Sequence, residues 1–134
     1  MARASLPSPP YLPKTDHRDA SAKKSQWWVS EQREEAIFRH ALSALWCASE
    51  KAWGLRIDNG FPDYLGESAR DPGPVEPLAV AFFEVGNPSH GYPAYCKPGD
   101  KDAIPASVLA DWLAQELLSK AKIRKLGRGQ RCKL

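Results

Sequence analysis

The chain has 134 residues, of which 43% are hydrophobic and five are tryptophan, and its formal net charge is +3. This length suits one compact domain rather than two, and the hydrophobic fraction excludes a wholly disordered protein. The longest apolar run, residues 78–83, is far shorter than the roughly 20 residues that a membrane-spanning helix requires.

Residues 1–25 are predicted to form an extended or disordered arm. Its prolines at positions 7, 9, 10 and 13 fix φ and remove backbone donors, and a polar stretch follows them. The arm begins without the apolar core that a secretory signal needs. The three cysteines (Cys47, Cys96 and Cys132) form no CxxC pair, which favours reduced thiols. We therefore expect a soluble, cytoplasmic protein.

A first helix is predicted from Ser30 to Trp53. Ser30 is a favourable N-cap, acidic residues occupy the first turn, and Gly54 is a natural residue at which to end the helix. Apolar residues recur in pairs along this stretch with helical spacing, which predicts a buried stripe that includes Trp46 and Trp53.

The middle of the chain is predicted to form a small antiparallel sheet. Residues 55–57 form a short strand that ends at the turn signal of residues 58–60, and residues 61–74 form a loop. Residues 77–85 read as the central strand. Residues 92–97 read as its partner, which Pro93 places at an edge of the sheet.

A second helix is predicted to begin near Pro105 and to end at Gly127, with Trp112 in its buried stripe. The resulting fold class is α+β, with two amphipathic helices packed on one face of a two- or three-stranded antiparallel sheet. Residues 26–127 form the single domain, between the proline-rich arm and a flexible basic tail at residues 128–134.

The charges are divided unevenly along the chain. Residues 30–119 carry 14 acidic and 7 basic side chains, a net charge of −7. From residue 120 onward there is no acidic residue, and seven basic residues are predicted to bind nucleic acid: Lys120, Lys122, Arg124, Lys125, Arg128, Arg131 and Lys133. The alternative interpretation of this run is a solubilising, frayed helix end.

Five further residues are predicted to contact a partner. Trp27 and Trp28 stand where the arm meets the domain, beside two lysines, although they could instead fold back onto the first helix as a hydrophobic staple. His90, Tyr92 and Tyr95 surround the edge strand and suit an aromatic, hydrogen-bonding surface. Tyrosine is also ordinary at half-exposed strand positions.

Catalytic and metal motifs are weak in this sequence. His40 and Cys47 are seven residues apart, too far along a helix to chelate one ion together, so we expect neither a metal site nor a cofactor. Asp63, Glu84 and a lysine at 97 or 101 loosely match a magnesium-dependent nuclease. However, no lysine stands two places after Glu84, and we expect no enzymatic activity.

Three hypotheses for the function follow from these patterns. The first is a small non-enzymatic binding protein that acts on nucleic acid or a nucleoprotein complex through its basic tail. The second is an acidic-surfaced inhibitor or adaptor that docks on a basic protein surface, as small phage and mobile-element proteins do against host nucleic-acid-binding enzymes. The third is a small metal-dependent nuclease or toxin domain that uses Asp63, Glu84 and His90.

Overall fold

A computed structural model describes residues 9–134, in which three α-helices and eight β-strands are present. A short 3₁₀ turn (Thr15–His17) precedes them. In chain order the elements are β1 (Gln26–Trp27), α1 (Glu31–Ser43), β2 (Cys47–Ala48), β3 (Lys51–Asp58), β4 (Phe61–Asp63), β5 (Gly66–Glu67), β6 (Pro77–Leu78), β7 (Val80–Glu84), β8 (His90–Ala94), α2 (Ala106–Ala114) and α3 (Lys120–Gly127).

The strands form two antiparallel sheets. The larger sheet has the order β2-β3-β7-β8, with β4 also paired to β3, and the smaller sheet has the order β1-β5-β6. The predicted central strand is present as β6 and β7, and its partner β8 lies at the edge of the larger sheet. The predicted fold class of two helices on a small two- or three-stranded sheet is wrong, because the fold has more strands and a third helix.

The first predicted helix is too long, because α1 ends at Ser43. The N–H groups of Leu45 and Trp46 donate to the carbonyls of Leu42 (3.1 Å) and Ala41 (2.9 Å), which is a Schellman motif. Leu45 takes the left-handed conformation that this motif requires, with φ of 64°. The remainder of the predicted helix forms β2 and β3.

The second predicted helix is divided in the same way. Glu116, with φ of 58°, ends α2, and the N–H of Leu117 donates to the carbonyl of Trp112 at 3.0 Å. Ser119 then caps α3 by accepting a hydrogen bond from the backbone N–H of Lys122. Four of the seven basic residues, Lys120, Lys122, Arg124 and Lys125, therefore lie in a separate helix, and the other three follow it.

Two residues that end helices, Leu45 after α1 and Glu116 after α2, have a left-handed backbone conformation, and replacing either with glycine is expected to stabilise the protein. Leu45 is 78% exposed and Glu116 is also exposed, so Leu45→Gly or Glu116→Gly removes strain without removing buried surface. We expect each change to raise the free energy of unfolding by about 0.5–1 kcal/mol in urea denaturation. The control Ser43→Gly, placed inside α1, should lower it; a loss of stability in all three variants would contradict this explanation.

The strand β3 forms two hairpins, one with β2 and one with β4, and both have two-residue turns with positive φ. Asn59 and Gly60 both have positive φ (52° and 85°) and form the predicted turn between β3 and β4. Ser49 and Glu50 take the same left-handed conformations (51° and 64°) between β2 and β3. Asn59 and Gly60 are the residue types that this turn geometry prefers, whereas Ser49 and Glu50 are not.

The helix α1 covers one face of the larger sheet. A Cβ atom at Gly54 would lie 2.7 Å from Cγ2 of Ile37, so only glycine allows α1 to approach β3 this closely. Phe38 of α1 packs on Phe83 of β7 with ring centroids 5.3 Å apart. Gly54 is thus a contact in the middle of a strand rather than the end of a helix.

The helix α3 covers the opposite face of the larger sheet. Val80 and Ala94, which are paired across β7 and β8, line a small internal space with Leu126 and Cys132. Both of these C-terminal residues are buried. The prediction that the helices share one sheet face is therefore also wrong.

The N-terminal segment (residues 9–25) lies along the edge strand β8. The carbonyl of Pro10 accepts a hydrogen bond from the N–H of Ser89 (2.6 Å), and His17 stacks on Tyr92 with ring centroids 5.0 Å apart. This packing shields a strand edge that would otherwise present unpaired backbone groups.

Of the predicted extended or disordered arm, residues 9–25 pack on the domain beside β8. Its prolines prevent a long helix, and the rings of Tyr11 and His17 pack on Phe83 and Tyr92 of the sheet, which compensates for the entropy of ordering them. The first eight residues of the predicted arm lie outside the described residues.

A buried ion pair fastens the N-terminal segment to α1. The side chain of Glu34 is 0% exposed, and its Oε1 accepts hydrogen bonds from Nη2 (2.7 Å) and Nε (3.1 Å) of Arg18. The hydroxyl of Tyr11 donates to its other oxygen, Oε2. Burial raises the pKa of Glu34, and the hydrogen bonds from Tyr11 and Arg18 oppose that rise.

Within residues 9–134, no helix combines the length and the hydrophobicity that crossing a membrane would need.

Candidate functional site

The basic helix α3 presents a row of cations to solvent. Lys120 and Arg124 are four residues apart and lie along one face of the helix, Lys125 lies beside them, and Arg128, the C-cap residue, follows one turn later. Ile123 and Leu126 face the core instead. We call the four outward cations the α3 stripe: Lys120, Arg124, Lys125 and Arg128.

The positive charge of the α3 stripe is not compensated. All four side chains are exposed, and none has an ion-pair partner among the residues that the structure describes. Like charges four residues apart on a helix repel each other by a few tenths of a kcal/mol. The stripe therefore carries a small electrostatic cost that a polyanion would remove.

Residues 128–134, which the sequence predicts as a flexible basic tail, pack on the domain in the structure. Cys132 is 3% exposed, and the backbone N–H of Leu134 donates to the hydroxyl of Tyr64 at 2.9 Å. Arg131 forms an ion pair with Glu76, with 3.1 Å between Nε and Oε2. Arg131 is therefore less available to a ligand than the α3 stripe.

Gly129 joins the end of α3 to the loop after β8. Its φ of +71° completes the Schellman motif of α3, and a Cβ atom there would lie 2.7 Å from Cα of Lys97. The close contact requires glycine. Arg128 at the end of the α3 stripe is consequently next to a residue that touches Lys97.

A cleft of about 410 Å³ lies between the N-terminal segment and the loop after β8. We call it the lysine cleft, because four lysines line it: Lys23, Lys24, Lys97 and Lys101. Tyr92, Tyr95 and His17 also line it, as do two carboxyl groups, Asp100 and Asp102, and burial raises the pKa of Asp102. The cleft thus combines aromatic rings with a predominance of cations.

The rings of His17 and Tyr92 form one wall of the lysine cleft. They are nearly parallel, with 12° between their planes. Nδ1 of His17 lies 2.8 Å from the carbonyl oxygen of Ser25, which can only accept, so Nδ1 carries the proton. Burial, followed by the charges of Asp102 and Glu84, raises the pKa of Tyr92, so its hydroxyl stays neutral at neutral pH.

His17 is expected to make the stability of the protein dependent on pH. Burial lowers the pKa of His17 below its usual 6.5, although Asp16 opposes the shift. The unfolded chain therefore binds the proton more readily, and the stabilising contribution is present above about pH 6.5 and lost as the pH falls through the folded pKa. Urea denaturation should show this loss in the wild type between neutral pH and pH 5. The loss should be smaller in His17→Gln; equal pH dependence of both proteins would contradict this role of His17.

Tyr95 and Lys97 form a ridge between the lysine cleft and a second groove. The hydroxyl of Tyr95 donates to Oε1 of Glu76 (2.6 Å), and Nζ of Lys97 lies 5.6 Å from the centre of the Tyr95 ring. Both residues line the lysine cleft and the neighbouring groove, which also contains Gly129 and Arg131. The ridge connects the cleft to the C-terminal segment.

The five predicted partner residues do not form one surface. Trp27 is buried, and its indole N–H donates to the carbonyl of Gly91 (3.3 Å), as expected for a core residue. Trp28 is 49% exposed and donates to Glu67 at 2.8 Å. His90 is half-buried on β8. Of the five, only Tyr92 and Tyr95 meet in the lysine cleft.

The carboxylates proposed for a nuclease lie apart. In the strand register, Asp63 of β4 lies opposite Arg56 near one end of β3, whereas Glu84 of β7 lies opposite Lys51 at the other end. Five residues of strand separate those positions, which corresponds to about 16 Å. No cluster of three or more His, Cys, Asp and Glu that could hold a metal is found within residues 9–134. The geometry gives this hypothesis no support.

Sequence patterns alone do not indicate His17 as part of a site, and they mark Lys23 and Lys24 only as neighbours of the tryptophan pair. These residues come from the N-terminal segment, whereas Tyr92 and Lys97 come from β8 and its loop. Only the packing of the segment along β8 brings them together, and no local pattern signals that packing.

Comparisons of this chain with protein-family models, with curated proteins and with solved structures found no match.

Proposed function

We propose that this protein is a non-enzymatic, cytoplasmic binding protein that contacts nucleic acid, alone or within a nucleoprotein complex, through the α3 stripe. The observation that supports the proposal is the arrangement of Lys120, Arg124, Lys125 and Arg128 on the exposed side of α3 and at its C-cap, without ion-pair partners among the described residues. Side chains of this kind bind phosphates through charge and the release of counterions, largely independently of sequence.

The charges of the rest of the protein favour this hypothesis over an acidic docking surface. Of the 14 carboxylates in residues 30–119, seven are paired with arginine or lysine: Glu34, Glu35, Asp58, Asp63, Asp71, Glu76 and Glu84. Three of these pairs use cations from outside residues 30–119, namely Arg18 with Glu34, Lys23 with Asp71 and Arg131 with Glu76, so they offset up to three of the seven negative charges. The α3 stripe has no comparable compensation.

The cytoplasmic location in this proposal is supported by the cysteines. Cys47, Cys96 and Cys132 are all free thiols, and the last two are buried. Such thiols suit a reducing compartment.

Removal of residues 120–134 would be an unsuitable test of the proposal. It would also remove Leu126 and Cys132 from the core, so a loss of binding could reflect unfolding. The double substitution Arg124→Gln/Arg128→Gln, here called the stripe variant, keeps the helix and its buried residues while removing two charges.

The test is the affinity of wild type and stripe variant for a labelled DNA duplex and for a single strand of equal length. We expect the stripe variant to bind both about tenfold or more weakly near 0.1 M salt. The control Lys14→Gln/Arg39→Gln also removes two positive charges; because Arg39 of α1, on the opposite face of the sheet, pairs with Glu35 at 3.1 Å, the stability of this variant is measured together with its affinity. Equal affinities of wild type and stripe variant would refute the proposal.

A further inference from the structure

The lysine cleft has the size and accessibility of a ligand site. Its volume of about 410 Å³ falls within the range of about 300–1,000 Å³ that is usual for small-molecule sites. The cleft opens between two segments distant in sequence, the N-terminal segment and the loop after β8. A planar heterocycle with an attached sugar would fit a space of this volume.

The charge around the cleft suits a phosphate. Lys97 has no ion-pair partner among the described residues. Lys23 and Lys24 reach carboxylates only at 4.0 Å and 3.9 Å, in exposed pairs that contribute little to stability. Lys101 is more firmly held, 3.1 Å from Glu84. Three of the four lysines are therefore available to an anion.

The aromatic groups of the cleft suit a base. The ring of Tyr95 is half-buried, and it lies between the lysine cleft and the neighbouring groove. His17 and Tyr92 are fixed by their mutual stacking and by the hydrogen bond from His17 to Ser25. Nucleic-acid bases stack on such rings regardless of sequence, and this requires the base to be unpaired.

The lysine cleft lies next to the end of the α3 stripe. Gly129 contacts the backbone of Lys97, and Gly129 follows Arg128 directly in the chain. A single strand whose phosphates lie on the stripe would therefore reach the rim of the cleft at Lys97. A duplex cannot insert a base there without opening a base pair, because its bases are stacked and paired.

From these observations we propose that the lysine cleft accepts one unstacked base of a single-stranded nucleic acid, while the adjoining phosphates lie on Lys97, Lys23 and Lys24 and continue onto the α3 stripe. Tyr95 is the residue assigned to stack on the base. This inference rests on the proposed function and adds a preference for single strands over duplexes.

The test compares Tyr95→Ala with the control Tyr95→Phe, which removes the hydrogen bond to Glu76 but keeps the ring. The probes are a short single-stranded oligonucleotide of mixed sequence, the same strand without its bases, and a duplex of equal length. We expect Tyr95→Ala to weaken binding of the intact strand about 5- to 100-fold and to leave duplex binding unchanged, with Tyr95→Phe close to wild type.

The strand without bases provides a test on the wild-type protein, independent of how the variants fold. We expect it to bind more weakly than the intact strand, and to be insensitive to Tyr95→Ala. Equal binding of the two strands by wild type would overturn the assignment of a base to the cleft. The proposed function would then still stand, and it would fail only if the stripe variant also bound like wild type.

Two competitors separate a strand from smaller anions that could use the same cations. Inorganic pyrophosphate and a nucleoside monophosphate should displace the intact strand only at far higher concentrations than an unlabelled strand does. Displacement by either small anion at concentrations similar to those of the unlabelled strand would overturn the assignment of the cleft to a strand.

Discussion

Replacing Arg18 with alanine is expected to lower the free energy of unfolding by about 3–5 kcal/mol at neutral pH. The substitution removes the guanidinium that donates two hydrogen bonds to Glu34, whose side chain is 0% exposed. It also removes the hydrogen bond from Nη1 of Arg18 to the carbonyl of Val29 (2.8 Å). A buried carboxylate without its counter-charge costs much more than the loss of an exposed ion pair.

The measurement is urea denaturation followed by tryptophan fluorescence. The control is Lys23→Ala, which removes a lysine that is 83% exposed and paired at 4.0 Å; we expect this variant to lose less than about 1 kcal/mol. Similar small losses in both variants would show that the contact between Arg18 and Glu34 does not hold the N-terminal segment in place.

The pH dependence of Arg18→Ala provides a second readout of the same pair. Burial already raises the pKa of Glu34, and removal of Arg18 should raise it further because the opposing positive charge is lost. A carboxyl with a raised folded pKa favours folding while it is protonated, and this contribution is lost as the pH rises through that pKa. The deficit of Arg18→Ala should therefore shrink as the pH is lowered towards 5.

The helix ends show why local patterns predict the wrong lengths. Of the three Schellman motifs, only that of α3 has glycine in the left-handed position, at Gly129. Leu45 and Glu116 take this conformation in α1 and α2, although L-residues are strained there. Because the sequence offers no glycine signal at these positions, the predicted helices run on to Gly54 and Gly127. Tertiary packing determines where they end.

The hairpin turns of the sheet also differ in how far the local sequence predicts them. The turn at Asn59 and Gly60 is predictable, because these residues tolerate positive φ without strain. Ser49 and Glu50 also have positive φ, but neither residue type indicates such a turn in the sequence. Pairing of β3 with β7 along five residues stabilises the hairpin instead, and this partner lies about 30 positions away in sequence.

The candidate site can be predicted from the sequence only where its residues are close together in the chain. The cations of α3 lie close together in sequence, so the charge pattern alone is enough to indicate Lys120, Arg124, Lys125 and Arg128. Burial of Cys132 and the pairing of Arg131 with Glu76 are not predictable in this way, because they depend on the path of the chain beyond Gly129. The lysine cleft depends on contacts between residues that are still farther apart in sequence.

The second large effect is expected in the salt dependence of nucleic-acid binding. For a duplex, the logarithm of the binding constant falls linearly with the logarithm of salt concentration, with a slope of about −0.9 for each phosphate that the protein neutralises. Arg124 lies on the same exposed helix face as Lys120, and Arg128 follows at the C-cap. If each neutralises one phosphate, their removal decreases the magnitude of the slope by about 1.8.

The stripe variant should retain the stability of the wild type in the same buffers. Its two substituted side chains are exposed and have no ion-pair partner among the described residues. Removing like charges four residues apart relieves their repulsion but also removes cations that the C-terminal end of the helix dipole favours, so we expect a net change of less than about 1 kcal/mol. A difference in binding can then be attributed to charge rather than to folding.

The measurement that tests the proposed function most directly is the slope of log K against log salt concentration for one DNA duplex with wild type, the stripe variant and Lys14→Gln/Arg39→Gln. We predict that the magnitude of the slope falls by about 1.8 in the stripe variant and stays near the wild-type value in the control. An unchanged slope in the stripe variant, or an equal decrease in both variants, would contradict binding through the α3 stripe.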